Sequence, residues 1–271
     1  MSHTLAVITV VYENYTVLED FLNSLSNQTN KNFQLFISDL SKLPQKIDAG
    51  TIPATITSGK NKGYAYGINL SLKKAMEQNI DSFCVVNDDT YFKNDFIAKV
   101  ENSLTEHTGS IIGGKIYYAP GFEYHKNRYE KNNLGKVFWY AGGRIEWKHA
   151  TAVHRGVDEV DQGQFDNPGK TDFVTGCFLA YDKQVVEKVG DWDESFFMYY
   201  EDADFCERAK KRGVSIYFDP SIVLWHKNAA STGGSGSRLH QQYQTKNQLR
   251  FGLRYAPFRT KLHLLKNYFL S

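Results

Sequence analysis

Leu5–Val11 is a near-continuous apolar run, the pattern of a strand covered on both faces. Beyond it, Leu18, Phe21, Leu22 and Leu25 fall at i, i+3, i+4 and i+7 and mark one helix face. Phe33–Ser38 reads as a second strand, Thr55–Thr57 as a short third one, and Tyr64–Gln78 as a helix entered through Gly63. Ser82–Asn87 is a fourth strand, ending abruptly in Asp88-Asp89, and Asn94–Ser103 is helical again, with Asn94 as its N-cap. This alternation predicts an α/β fold with a mostly parallel central sheet flanked by helices. Ligands of such sheets sit beyond the carboxyl ends of the strands, which is where Glu13, Asp39 and Asp88-Asp89 fall.

The second half is less regular. Ile111–Tyr118 and Val137–Ile145 read as strands, and Trp147–Lys170 as loop. Val185–Val189 is a short helix, and Asp202–Arg212 a clearer one stopped by Gly213. Ile216–Phe218 and Ile222–Trp225 read as two short strands, and Ser231–Ser237 is a flexible loop by composition. From His240 onward the pattern is helical, and Pro257 divides it into two segments. The last of these, Arg259–Leu270, mixes basic with apolar residues, so it can pack on its own domain or rest on a membrane surface.

The charges nearly cancel, at +2, which argues against a protein that coats nucleic acid. Cys84, Cys177 and Cys206 are far apart, odd in number and set in apolar stretches. Buried free thiols in a reducing cytosol are the natural reading. The first residues carry no basic region leading into an apolar stretch, and no window reaches the roughly 20 apolar residues that span a bilayer. The expectation is a cytoplasmic protein, attached at most to the inner face of a membrane. With 17 Tyr and 18 Phe, many near glycines and charges, the chain also has rings on which apolar sugar faces could stack.

Four features carry candidate chemistry. A buried strand that delivers Asp88 and Asp89 together must find positive charge for them. A divalent cation bridging a diphosphate would serve, because Mg²⁺ and Mn²⁺ prefer oxygen ligands; so would a turn that caps the next helix. Glu201 and Asp202 stand where a helix begins, so they either cap it or include a general base for a hydroxyl proton. The aromatic block Phe196–Tyr200 before them is more than a cap requires. His226 closes an apolar strand and is either a structural imidazole or an extra metal ligand. Asn61–Asn69, with Gly63 and Gly67, forms a loop-to-helix junction suited to an anion. It matches neither a phosphate-binding Walker loop nor the dinucleotide glycine pattern.

Taken in order, these segments resemble the family-2 inverting glycosyltransferases of the GT-A fold, a Rossmann-like architecture, and within them the bacterial rhamnosyltransferase-like branch. The resemblance runs from about Leu5 to His226, and more weakly to Arg254. It rests on Val7–Tyr12, Asp39, Asn61-x-Gly63-x-x-x-Gly67-x-Asn69, Asn87-Asp88-Asp89, Gly142–Ile145, Thr175–Phe178 and Phe197–Asp204. Two departures stand out. Asn87-Asp88-Asp89 replaces the more usual Asn-Pro-Asp, and Tyr243-Gln-Thr-Lys246-Asn247 replaces Tyr-x-x-Arg-Asn, exchanging a two-pronged guanidinium for a point charge.

The resemblance implies roles residue by residue. Asp39 would bind the nucleobase, with Tyr12 and Glu13 lining the same pocket. Asn61, Lys62, Gly63 and Asn69 would close over the nucleoside, and Asp88 would stand near the ribose. Asp89 and His226 would hold Mn²⁺ or Mg²⁺, Asp202 would be the base with Glu201 beside it, and Thr175, Gly176 and Cys177 would face donor sugar or acceptor. The implied domain covers residues 1–228, with its nucleotide-binding half to about 110 and an acceptor and metal half over about 111–228. A flexible loop over 229–239 and a helical extension over 240–271 would follow. The implied reaction moves one sugar from a dTDP- or UDP-linked donor, rhamnose first and galactose or galactofuranose next, onto a glycan or lipid-linked acceptor. Its setting would be cell-surface polysaccharide synthesis, in capsule or cell wall, with room for membrane contact through the last helix and for a homo-oligomer. A nucleotidyltransferase and a non-catalytic carbohydrate-binding or scaffold relative are the competing readings.

Overall fold

The structure, a computed structural model, describes residues 4–125, 127–228 and 238–270, the side chains of the last segment from 241 to 268. In chain order the elements are β1 (Leu5–Val11), α1 (Leu18–Ser26), β2 (Phe33–Asp39), β3 (Ala54–Ser58), α2 (Tyr64–Glu77), β4 (Ser82–Val86), β5 (Thr90–Phe92) and α3 (Phe96–Glu106). They continue with β6 (Ile111–Tyr118), β7 (Phe138–Tyr140), β8 (Gly143–Glu146), β9 (Thr151–His154), β10 (Gly169–Lys170) and β11 (Phe178–Asp182). The last are α4 (Lys183–Val189), α5 (Glu201–Lys211), β12 (Ile216–His226), α6 (Arg238–Tyr255) and α7 (Phe258–Leu270). The loop expected over Ser231–Ser237 lies outside the described residues.

The mostly parallel sheet predicted from the alternation is the one that forms. Its order is β10-β12-β6-β11-β4-β1-β2-β3, with β5 added to β12 and β7 to β6. β3, β2, β1 and β4 run parallel, as do β6 and β12. β11 enters antiparallel between β4 and β6. The order turns back at β1 and β4: β2 lies on one side of β1 and β4 on the other. That reversal opens a crevice beyond their carboxyl ends. α2 packs on β1 and β2, and α3 on β11 and β12. Between sheet and helices, Phe21, Phe92, Phe96 and Phe178 make a continuous chain of ring contacts.

Several expectations need correction. Asn94 does not cap α3. The capping position is Asp95, without a side-chain bond, and the Ile97 amide is instead taken by Gln28 Oε1 at 2.9 Å. Gln28 is buried and also donates to the Ser24 and Lys93 carbonyls, so a distant carboxamide does the local cap's work. The stretch Val137–Ile145 is split between β7 and β8, and β8 pairs with β9, inside the segment read as loop. Every β9 residue is half-buried, so no apolar–polar alternation announced it. β11 went unnoticed although it is central. Ile216–Phe218 and Ile222–Trp225 are one strand, with an irregularity between Asp219 and Val223 at Pro220, a place in a sheet where proline is tolerated.

Gly114 on β6 lies under that bulge. A Cβ there would stand 2.7 Å from the Ile222 carbonyl oxygen and 3.0 Å from the Phe178 ring. Gly114→Ala is therefore expected to destabilise the fold by about 1–3 kcal/mol through overpacking. A urea midpoint equal to that of the parent protein would contradict this account of the bulge.

Candidate active site

A cleft of about 820 Å³ opens at the carboxyl ends of the parallel strands. Tyr12 follows β1, Asn87-Asp88-Asp89 follow β4, Tyr118 ends β6 and His226 ends β12, so chain direction alone brings these side chains to one edge. Thr175, Gly176 and Cys177 reach the same edge at the start of antiparallel β11, and Glu201 and Asp202 at the start of α5.

The first corner is set by strand register. β5 begins directly after Asp89 and pairs antiparallel with the end of β12, Thr90 opposite His226. The Lys227 amide donates to the Asp89 carbonyl at 2.9 Å. Asp89 Oδ1 thus stands 3.2 Å from His226 Nε2, both side chains buried, yet Oδ1 takes part in no aligned hydrogen bond. Neighbouring ligand atoms on one six-coordinate cation stand about 3 Å apart, so an orphaned oxygen and an imidazole nitrogen at this spacing fit a divalent ion. Among the described residues, no group of three or more His, Cys, Asp or Glu side chains is placed to hold a metal ion by itself. Asp88, buried beside this pair, is held well above the usual carboxylate range by burial and then by Asp89.

The second corner is the start of α5. Neither acid caps the helix; Tyr200 occupies that position in the left-handed region, at φ 71°, and Tyr199 precedes it at φ 69°. Each such non-glycine residue costs about 1–3 kcal/mol unless its surroundings hold it. Asp202 Oδ2 accepts from the Gly176 amide at 2.8 Å and Oδ1 from the Ala203 amide at 2.7 Å. Burial raises the Asp202 pKa above the ordinary range, against those bonds. Glu201 is raised further, by burial and then by Asp202, and its Oε2 has no partner. A carboxylate whose pKa is raised is a stronger proton acceptor than an ordinary one.

Tyr64 joins the two corners. Its buried hydroxyl lies 2.8 Å from Asn87 Oδ1 and 2.9 Å from the Gly176 carbonyl, sharing one proton between them. Burial, then nearby Cys177, Glu201 and Asp88, keeps it protonated. Gly63 makes this approach possible: its φ is 105°, a Cβ would fall 2.3 Å from the Phe197 carbonyl oxygen, and the Tyr64 amide donates to that oxygen at 2.9 Å.

Of the residues singled out from sequence, Tyr12, Asn61, Gly63, Asp88, Asp89, Thr175, Gly176, Cys177, Glu201, Asp202 and His226 line the cleft. Glu13, Asp39, Lys62 and Asn69 are not part of its wall. Asp39 is buried, accepting from the Tyr15 hydroxyl at 2.7 Å and the Ser41 amide at 3.0 Å. Asn69 clasps the loop after α4, exchanging bonds with the Trp192 backbone. Lys62 lies over the Tyr66 ring, and the Glu13 amide donates to Ser41 Oγ. Sequence reasoning missed Trp139 and His154 on the wall, which Tyr243 and Gln244 of the Tyr243–Asn247 stretch also line. His154 Nδ1 stands 3.0 Å from the Trp139 carbonyl, and burial pushes its pKa down to about 4. It is neutral, with Nδ1 donating to that carbonyl.

Comparison with known proteins places this geometry. Residues 6–190 match the family model for glycosyl transferase family 2. A low-salt glycan biosynthesis hexosyltransferase of Haloferax volcanii is 25% identical over 162 residues, covering 59% of this chain and 47% of the relative. A dTDP-rhamnosyl transferase, RfbF of Shigella flexneri, is 22% identical over 203 residues, covering 74% and 58%. An N-acetylglucosaminyl-diphospho-decaprenol L-rhamnosyltransferase of Mycobacterium tuberculosis is 23% identical over 253 residues, covering 86% and 79%. The chain thus spans about half the length of the first two relatives. Among solved structures, GalNAc-T7 with UDP, GalNAc and Mn²⁺ superposes with a TM-score of 0.65 at 12% identity, over 92% of this chain and 47% of that one. A mannosyltransferase of Pyrobaculum calidifontis with GDP-Man and Mn²⁺ gives 0.56 at 14%, over 97% and 68%. These likenesses establish the GT-A fold.

Gly63→Ala is expected to cost about 2–4 kcal/mol, because the new methyl meets a backbone oxygen and the φ is unsuited to any side chain. Hydrogen exchange at the Tyr64 amide should accelerate in step. Parent-like stability and exchange would show that the junction tolerates a Cβ.

Proposed function

The chain belongs to glycosyl transferase family 2, and on that premise we propose that it transfers a single sugar from a nucleotide-diphosphate donor to a hydroxyl of a glycan or lipid-linked acceptor, inverting the anomeric carbon. The observation that carries the reading is the convergence of Asp89 with His226, and of Asp202, on one cleft at the sheet's carboxyl edge. The donor is dTDP-rhamnose, with a UDP-hexose as the second candidate. Similarity to a dTDP-rhamnosyl transferase and to a decaprenol-linked rhamnosyltransferase supports that choice.

In this mechanism the Asp202 carboxylate takes the acceptor's hydroxyl proton. The freed oxygen attacks the anomeric carbon from the face opposite the diphosphate; the new C–O bond forms as the bond to the leaving phosphate oxygen breaks. Asp89 and His226 would hold Mn²⁺ or Mg²⁺, which supplies positive charge against the departing diphosphate. Tyr12, Asn61 and Asp88 face the nucleoside, and the glycine at 176 leaves room for a sugar ring. Trp139 and the neutral His154 offer a ring face and a hydrogen-bonding nitrogen for sugar hydroxyls.

A lipid-linked acceptor also fits the end of the chain. Residues 220–271 contain no Asp or Glu, and Phe258 and Leu262 on α7 are exposed at 73% and 53% beside Arg259 and Lys266. Such a surface suits anionic headgroups, and α6 links it to the cleft at Tyr243. No helix among the described residues is long and apolar enough to cross a membrane.

Thermal-shift titration with dTDP- and UDP-sugars, with and without Mn²⁺, tests the donor site. The native state should be stabilised only when both are present, following the ligand's mass action, and Asp89→Ala should abolish the metal-dependent part while remaining folded. Unchanged Mn²⁺ dependence in that variant would remove Asp89 from the site.

Asp202→Asn should bind donor normally and lose about 10²–10⁴-fold in turnover. In the parent protein kcat/KM should fall as pH drops through an Asp202 pKa that burial has raised, so the acid limb sits above the ordinary carboxylate range. Near-normal turnover of the variant would end the assignment.

A further inference from the structure

We propose that Asn247, on α6, is a positioning residue for Asp202, acting through the backbone turn that carries it; the inference rests on the function proposed above. Two successive tyrosines, Tyr199 and Tyr200, adopt left-handed φ values immediately before Glu201 and Asp202. Asn247 is 1% exposed, and its Nδ2 donates to the Met198 carbonyl at 2.8 Å and to the Tyr199 carbonyl at 3.1 Å. On the other flank the Phe197 carbonyl accepts from the Tyr64 amide at 2.9 Å. Three consecutive carbonyls are therefore held by partners from two other elements, and the chain cannot relax to ordinary φ without breaking them. One turn earlier on α6, Tyr243 stacks on Phe197 with ring centroids 5.0 Å apart and planes at 19°, so one face of the helix grips the whole turn.

The side chain suits the task. Two carbonyl oxygens side by side need two N–H donors on a neutral group of short reach, and a carboxamide supplies both. A carboxylate of the same shape would set lone pairs against lone pairs, and a hydroxyl would satisfy one oxygen only. Asn247 closes the Tyr243–Asn247 stretch that resembles the family's Tyr-x-x-Arg-Asn, and it lies beyond residues 6–190 matched by the family model.

Asn247→Asp and Asn247→Ser test the role in the full chain, with melting temperature, nucleotide-donor affinity in Mn²⁺, transfer kinetics and the pH profile of kcat measured together. The expectation is donor affinity within about twofold of the parent and kcat lower by about 10–100-fold, the scale of a misplaced catalytic group. The acid limb of kcat should move, because the Asp202 surroundings change, and the serine variant should retain more activity than the aspartate. Parent-like kcat with an unmoved limb in a folded variant overturns the inference. So does a parallel loss of donor affinity, kcat and melting temperature in both variants, which marks Asn247 as an anchor for α6 alone. A parent protein without transfer activity overturns the function itself, and this inference with it.

Discussion

Buried negative charge at the carboxyl edge of the sheet is the constraint around which the rest of the chain is arranged. Asp88, Asp89, Glu201 and Asp202 all face one cleft, and three of them are at most 7% exposed. Unpaired charge in such a place is costly, and the protein relieves it only in part. Asp202 has two backbone amides and Asp89 has the neighbouring His226, while one oxygen of Glu201 is left without a partner. Acids so incompletely neutralised are what the proposed function would use, to receive positive charge and to move a proton. The parallel strands, the crossing at β1 and β4, and the late return of β12 each serve to bring these groups to the same edge.

Much of this was legible in the sequence, and the gaps have physical causes. β1 and β2 announce themselves as buried β-rich runs, and α1 by its periodic leucines, because their burial is complete on the relevant faces. Asp88-Asp89 at the end of a hydrophobic strand and an acidic pair after an aromatic block marked side chains that the fold brings to one cleft. The strands that were missed obey a different logic. β5 is three residues long, β9 is half-buried throughout, and β11 follows a glycine turn without a polar boundary. Each is specified by its partner strand and not by its own pattern.

Residue roles were legible in a similarly uneven way. Asp39 and Asn69 are motif residues whose side chains also hold neighbouring loops, contacts that letter and spacing do not show. Tyr64 stood inside a recognised segment, but its part in bridging Asn87 and Gly176 depends on β4 and β11 arriving side by side. Trp139 and His154 come from the β7–β9 region, where local pattern is weakest. The family match ends at residue 190, and Asp202, His226 and α6 lie past that point.

The pairing of β5 with β12 has one more consequence. Three rungs join them, and the imidazole is on the last. Because neighbouring residues on a strand face opposite ways, sliding β12 by a single step would turn His226 away from Asp89 and put Trp225 or Lys227 there instead. Fraying those few rungs would likewise part the two side chains. The readiness of this corner to hold an ion is thus tied to the integrity of a short ribbon, and an occupant bridging both groups would in turn act as a rivet for it.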